Sequence, residues 1–131
     1  MDRFLTIAEA AKATGLTAHT LRYYEQIGLI ATVGRRSGAR RYSPEDMRWL
    51  AFLIRLKATG MPIRDMRRYA ELLRQGNERE NAAERQAMLE EHARRLETDM
   101  RTMGETLDYI REKIRRCQEL QDLPLPPRRA S

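Results

Sequence analysis

The chain has 131 residues, a formal net charge of +6 and a single cysteine. This length suits one domain, or one small domain with an extension, because domains usually need about 100 to 200 residues. A single cysteine excludes an intrachain disulfide framework and a multi-cysteine metal cage. Because the sequence has no signal-peptide pattern and no apolar run near the roughly 20 residues of a membrane span, we expect a cytoplasmic protein without a membrane partner.

Positive charge is concentrated in the first part of the chain. Residues 1–76 contain 14 Lys and Arg against 7 Asp and Glu, whereas residues 77–131 contain 11 against 12. A basic lobe is the electrostatic footprint of a surface that binds a polyanion, although an arginine-rich composition is also typical of a solvated face. We therefore expect the two parts of the chain to have different functions.

The first two helices are predicted from their start and stop signals. Thr6 and Glu9 fit a capping box at the start of a helix that Gly15 ends. Thr17 caps a second short helix, which Gly28 ends. Two short helices joined by a glycine-containing turn of about three residues predict a helix-turn-helix.

A hairpin and a second helix pair follow. Between Leu29 and Tyr42 the helical period is lost, and "GRRSGARRY" predicts a small β-hairpin, the wing beside the helix-turn-helix. Ser43 and Pro44 then begin a third helix that runs to about residue 58. The stretch "PIRDMRRYAELLRQ" predicts a fourth helix, closed by Gly76.

The longest predicted helix carries an apolar seam spaced alternately by four and three residues, which is typical of a coiled coil. At about 1.5 Å per residue the seam is roughly 42 Å long, too long for the small N-terminal lobe to cover, so we expect a homodimer. The seam consists of Leu89, Ala93, Leu96, Met100, Met103, Leu107, Ile110, Ile114 and Cys117. We thus divide the chain into a DNA-binding domain (residues 1–76), a dimerisation helix (77–120) and an extended or disordered tail (121–131).

The two faces of the second helix differ in character. At about 100° per residue, Ala18, Leu21 and Tyr24 fall on one side, which we expect to be buried, with the Tyr24 hydroxyl at its edge, where a phosphate could be met. A recognition helix enters the major groove with its N-terminal residues near the base edges. The helix residues predicted to bind DNA are Thr17, Ala18, His19, Thr20, Arg22, Tyr23 and Tyr24.

The wing supplies the second set of predicted DNA contacts. Guanidinium groups bind phosphate oxygens in pairs of hydrogen bonds, and a tyrosine hydroxyl can add one more, so this cluster would anchor the protein more than select a sequence. A solvated hairpin is the alternative explanation. The wing residues predicted to bind DNA are Arg35, Arg36, Arg40, Arg41 and Tyr42.

The stretches "TIAEAAKATGLTAHTLRYYEQIGLI" and "RRSGARRYSPEDMRWLAFLIRLKATGM" resemble the MerR family of bacterial transcription regulators, and the resemblance extends over essentially the whole chain. It implies a mainly α fold in which a winged helix-turn-helix lobe precedes a long helix that dimerises as an antiparallel coiled coil. It also implies a homodimer on a near-palindromic promoter operator. Such a regulator acts on RNA polymerase indirectly, by distorting the spacer between promoter elements.

Within that family, "LKATGMPIRDMRRYAELLRQGN" and "ETLDYIREKI" are similar to the aldehyde- and thiol-stress-responsive AdhR and NmlR types. In those regulators a sensing cysteine precedes the "TGM" turn. Alignment on Thr59 places Arg55 at the position of that cysteine, so we do not expect this sensor in the present chain. Cys117 has two interpretations: a small apolar side chain that packs in the seam, or a thiol sensor whose oxidation changes the spacing of the lobes. With only His19 and His92 besides this one cysteine, we predict no metal site.

Other functional classes are less well supported by the sequence. The alternative to a regulator is a coiled-coil scaffold that binds nucleic acid without sequence preference, as a nucleoid-associated protein does. The sequence contains no recognisable pairing of nucleophile and base, no paired carboxylates and no glycine-rich phosphate loop, so we predict neither an enzyme nor a cofactor. It does not identify an effector.

Overall fold

A computed structural model describes residues 3–31, 34–36, 39–75 and 79–128, except for the side chains of residues 35, 36 and 39. Two compact units form the chain, Met1–Glu90 and Glu91–Ser131. The elements in chain order are α1 (Ile7–Thr14), α2 (Ala18–Gln26), β1 (Gly34–Arg36), β2 (Ala39–Arg41), α3 (Pro44–Ala58), α4 (Ile63–Arg74) and α5 (Ala82–Asp122).

Local capping chemistry fixes where α1 begins and ends. The Glu9 N–H donates to the Thr6 hydroxyl at 3.1 Å, and the Thr6 N–H donates to the Glu9 carboxylate at 3.0 Å. This backbone hydrogen bond, together with the nearby Arg3 guanidinium, lowers the pKa of Glu9. Gly15 ends the helix with φ of 76°, a left-handed conformation that glycine adopts without steric cost. The predicted bounds of α1 are confirmed.

The wing is a two-stranded antiparallel hairpin whose base is joined to the start of the chain. Gly34 pairs with Arg41 and residue 36 pairs with residue 39. Beyond the hairpin, Leu5 and Tyr42 form a bridge in which each N–H donates to the other's carbonyl oxygen at 2.8 Å. The segment before α1 is therefore joined by one bridge to the residue that follows β2, at the base of the wing.

The second helix pair completes the core of the first unit. Ser43 and Asp46 form a capping box around the first turn of α3, which begins at Pro44 and ends at Ala58, as predicted. Trp49 stacks on Tyr69 of α4 with ring centroids 5.9 Å apart. Buried apolar side chains from every helix of the first unit except α5, and from the base of the wing, form the core: Ala10, Leu21, Tyr24, Leu29, Ile30, Tyr42, Leu50, Leu53, Leu56, Met61 and Met66.

The long helix α5 runs for 41 residues. It ends at Asp122, two residues later than the predicted domain boundary, and residues 123–128 have no regular structure. Helix α4 ends at Arg74 with Gln75 as its C-cap, and the predicted stop at Gly76 lies outside the described residues. The predicted mainly helical fold, with a winged helix-turn-helix lobe and a long C-terminal helix, is confirmed.

Candidate nucleic-acid interface

The two faces of α2 are separated as the helical wheel predicts. Leu21 and Tyr24 are buried, and Ala18 on the same side is half-buried. On the opposite face His19 and Arg22 are exposed, and Tyr23 has 47% of its surface exposed. One face of the helix therefore holds the core, while the other offers an imidazole, a guanidinium and a phenol to solvent.

The start of α2 is fixed by its own side chains. The Thr17 hydroxyl accepts a hydrogen bond from the Thr20 N–H at 3.0 Å and donates one to the Thr20 hydroxyl at 2.9 Å. Both threonines are thus occupied in capping the helix, which leaves the exposed His19 as the first long side chain on the outward face. This arrangement presents the N-terminal turn of α2, with its partly unpaired N–H groups, as a surface suited to an anion.

Tyr24 belongs to the core, but its hydroxyl reaches a cation. Lys57, in the last turn of α3, donates to this hydroxyl at 3.3 Å, and its ammonium group lies 5.8 Å from the centre of the Tyr24 ring. Sequence reasoning missed Lys57, because no local pattern connects it with a residue 33 positions earlier. The lysine places a positive charge at the edge of α2.

The wing is tied to α2 by an ion pair. Arg40 lies 3.4 Å from the Glu25 carboxylate, and the two side chains are only 21% and 11% exposed. Arg40 was predicted to contact phosphate, but its guanidinium is engaged by Glu25 in this structure. Arg41 is half-buried, and the side chains of Arg35 and Arg36 lie outside the described residues.

Tyr42 requires a correction. Its side chain is fully buried, and its hydroxyl has no hydrogen-bond partner among the described residues. Burial raises the pKa of Tyr42, with the negative charge of Glu25 in support and the positive charge of Arg40 opposing it. Because the ring and its hydroxyl are enclosed in the core, the predicted contact between Tyr42 and a phosphate does not fit this structure.

The seam of α5 divides into a covered start and an exposed remainder. Leu89 is half-buried and packs against the core of the first unit, so part of its apolar surface is covered within the chain. Leu96 is half-buried, and Ala93 is exposed. The other seam positions are exposed large apolar side chains, Met100, Met103, Leu107, Ile110 and Ile114, followed by the exposed Cys117.

These elements define a class of protein: a winged helix-turn-helix with an outward polar recognition face and a long helix with an exposed apolar seam. Comparison with known protein families identifies the family to which the chain belongs. Residues 5–73 match the MerR HTH family regulatory proteins, and residues 47–113 match the MerR DNA-binding family. The chain belongs to the MerR family and is a DNA-binding transcriptional regulator of the MerR type, which is not an enzyme.

Individual relatives agree with this assignment. An uncharacterised HTH-type transcriptional regulator of Haemophilus influenzae is 34% identical over 119 residues, which cover 90% of this chain and 87% of the relative. The regulator AdhR of Bacillus subtilis is 42% identical over 93 residues, 66% of each chain. The crystal structure of HiNmlR, a MerR family regulator lacking the sensor domain and bound to promoter DNA, is similar with a TM-score of 0.82 and 33% identity, covering 92% of this chain and 94% of that chain. No helix in the described part of the chain is both long and apolar enough to cross a membrane.

Proposed function

We propose that this chain binds a near-palindromic promoter operator as a homodimer and changes transcription by distorting the promoter spacer, which alters how RNA polymerase engages both promoter elements. The observation that carries the proposal is the Arg40–Glu25 ion pair, which ties the wing to α2. The tie joins two basic elements, the wing and the helix that carries His19 and Arg22, into one surface for a polyanion. The crystal structure of the similar HiNmlR with promoter DNA supports the same use of the fold here.

The outward face of α2 and the wing would have different roles in DNA binding. His19, Arg22 and Tyr23 extend from the first turns of α2, where side chains of a recognition helix reach base edges. Arg41, with Arg35 and Arg36, lies in the wing, where guanidinium groups would bind the DNA backbone. Arg40 instead positions the wing through Glu25. Specificity would then come from α2 and from the energy of deforming the DNA.

The dimer would form through the α5 seam from Leu89 to Cys117, whose large apolar side chains from Met100 to Ile114 are exposed. Large apolar side chains repeated along one stripe favour burial against a second helix. In an antiparallel pair centred on Met103, two copies of Cys117 would lie roughly 42 Å apart by helix rise. The protein would act in the cytoplasm, where promoter DNA is found.

Titration of labelled DNA tests the proposal against the scaffold alternative. The promoter region of the chain's own operon and a scrambled duplex of equal length are compared at one salt concentration. A regulator should bind its operator at least about 10³-fold more tightly. Equal affinity for the two duplexes would indicate a nucleoid-type protein, and no binding to either would exclude both.

Three alanine variants separate base contacts from backbone contacts. Arg41→Ala should weaken binding to every duplex and reduce the salt dependence by about one phosphate contact, whereas His19→Ala should mainly change the preferred sequence. Arg95→Ala, which removes an exposed arginine from α5, is the control for charge alone. If His19→Ala and Arg41→Ala have the same effect on both properties, this division of roles is wrong.

A further inference from the structure

The first unit contains a basic cavity that the proposed function does not use. Its volume is about 320 Å³, and it lies between α4 and the turn that ends α2. This is near the lower end of the volumes typical of ligand pockets, which are usually lined mostly by apolar side chains. Here charged side chains dominate the lining, which consists of Ile27, Gly28, Arg64, Arg67, Arg68, Glu71 and Arg74.

The spacing of α4 explains why the arginines gather on one wall. Arg67 and Arg68 follow Arg64 by three and four residues, and Glu71 and Arg74 continue at steps of three or four, so these side chains share one face of the helix. The opposite face is apolar and buried in the lobe, through Met66, Tyr69 and Ala70. Because that apolar face is fixed in the lobe, the arginine face cannot rotate away from the cavity.

Two of the arginines are held in place by other groups. Arg74 donates to the Gly28 carbonyl oxygen at 3.0 Å, and Arg68 donates to Glu84 at 2.9 Å and lies 3.5 Å from Glu71. The hydrogen bond and charge of Glu84 raise the pKa of Arg68, so this side chain stays cationic. These contacts make Arg68 and Arg74 fixed walls of the cavity.

The other two arginines extend toward solvent. The Arg64 side chain is 88% exposed and lies 4.0 Å from its neighbour Asp65, and Arg67 is also exposed. The lining itself holds four guanidinium groups and one carboxylate; with Asp65 and Glu84 beside Arg64 and Arg68, the arginines still outnumber the neighbouring carboxylates by four to three. Guanidinium groups bind phosphate oxygens by paired, charge-assisted hydrogen bonds.

We infer that this cavity is an oxyanion site that binds a phosphate group between Arg64 and Arg67, with Arg68 and Arg74 as its fixed walls. The phosphate can belong to a free small molecule or to a nucleic-acid backbone. Phosphate binding would affect α2, because Arg74 contacts Gly28. Gly28 has φ of 81° and lies in the turn that ends this helix. A Cβ added to Gly28 would lie 3.6 Å from the Arg74 Nη2 atom, so the turn and the arginine are in direct contact.

Sodium pyrophosphate is the probe for the first test, by isothermal titration calorimetry with the full chain, no DNA and constant ionic strength. The wild type should show saturable binding of one pyrophosphate per chain. In Arg64→Ala/Arg67→Ala the affinity should fall at least about tenfold, since charge-assisted hydrogen bonds are lost. The control Arg95→Ala/Arg111→Ala removes two exposed arginines from α5 and should bind as the wild type does.

A second titration distinguishes the two sources of phosphate. The chain is first saturated with duplex DNA, and pyrophosphate is then added. Unchanged affinity for pyrophosphate indicates a site for a free ligand, and a loss of at least about tenfold indicates a site for backbone phosphate. Either result supports the cavity. Non-saturating heat in the wild type, or equal losses in both double variants, would overturn it. Because the first titration contains no DNA, its result is independent of operator binding.

Discussion

Replacing Tyr42 by phenylalanine should stabilise the protein. The ring lies in the core and remains in the variant, while the buried hydroxyl, which lacks a partner among the described residues, is removed. A buried polar group without a hydrogen bond costs about 1 to 3 kcal/mol, so the free energy of unfolding should rise by about 1 kcal/mol or more. Tyr24→Phe is the matched control. It removes a hydroxyl that accepts from Lys57 and should lower the free energy of unfolding by about 1 kcal/mol.

Urea denaturation at one fixed protein concentration measures both variants, because the stability of a dimer depends on concentration. The midpoints of Tyr42→Phe and Tyr24→Phe should move in opposite directions with unchanged m-values. If Tyr42→Phe is destabilised as much as Tyr24→Phe, the Tyr42 hydroxyl is bonded and the reasoning fails. Operator affinity should not change in Tyr42→Phe, and a clear loss would restore Tyr42 as a DNA contact.

The same substitution predicts a pH effect. Burial raises the pKa of Tyr42 in the folded chain above the ordinary value of 10.0, so the unfolded chain releases this proton first. Below pH 10 the Tyr42 hydroxyl is protonated in both states, so it causes no pH dependence of the free energy of unfolding. As the pH rises above 10 toward the folded-state pKa, the free energy of unfolding of the wild type falls. Tyr42→Phe has no such proton, so its stability advantage over the wild type should widen above pH 10. A constant difference across that range would contradict the burial of this hydroxyl.

Three further substitutions test the wing and the long helix. Glu25→Gln removes the charge that holds Arg40 and should weaken operator binding several-fold and lower the free energy of unfolding by about 1 kcal/mol, because the wing loses a largely buried tie to α2. Tighter operator binding would instead make Arg40 a phosphate ligand that Glu25 restrains. Ile110→Glu places a charge in the exposed seam and should convert dimers to monomers in analytical ultracentrifugation, with the lobe still folded by circular dichroism. Cys117→Ser should leave the promoter response to oxidants unchanged if the thiol only packs; a lost response would establish it as the sensor. Efficient Cys117 cross-linking in the wild type would argue against an antiparallel pair.

Features set by neighbouring residues could be predicted from the sequence almost residue by residue. The capping boxes at Thr6 and Ser43 involve partners three positions away, and both helices begin where the sequence indicates. The faces of α2 follow from helical period alone, so the burial of Tyr24 and the exposure of Tyr23 were predictable.

Long-range contacts could not be predicted in this way. Arg40 meets Glu25 across 15 positions, and Tyr42, which is buried in the core, pairs through its backbone with Leu5. The run "RRY" indicates an exposed basic strand, since its neighbours are charged, but the depth of its last ring depends on a backbone pairing with no local signal. The cavity on α4 likewise depends on where the turn at Gly28 packs.

The bridge between Leu5 and Tyr42 has a practical consequence for handling the protein. Any polypeptide fused ahead of Leu5 enters the fold at the base of the hairpin, a few residues from the recognition surface. A bulky affinity tag or fluorescent protein at that end would crowd the base of the wing, and any resulting loss of DNA binding would resemble a defect in operator recognition. Labels for binding assays are therefore better attached after Asp122, where α5 has ended.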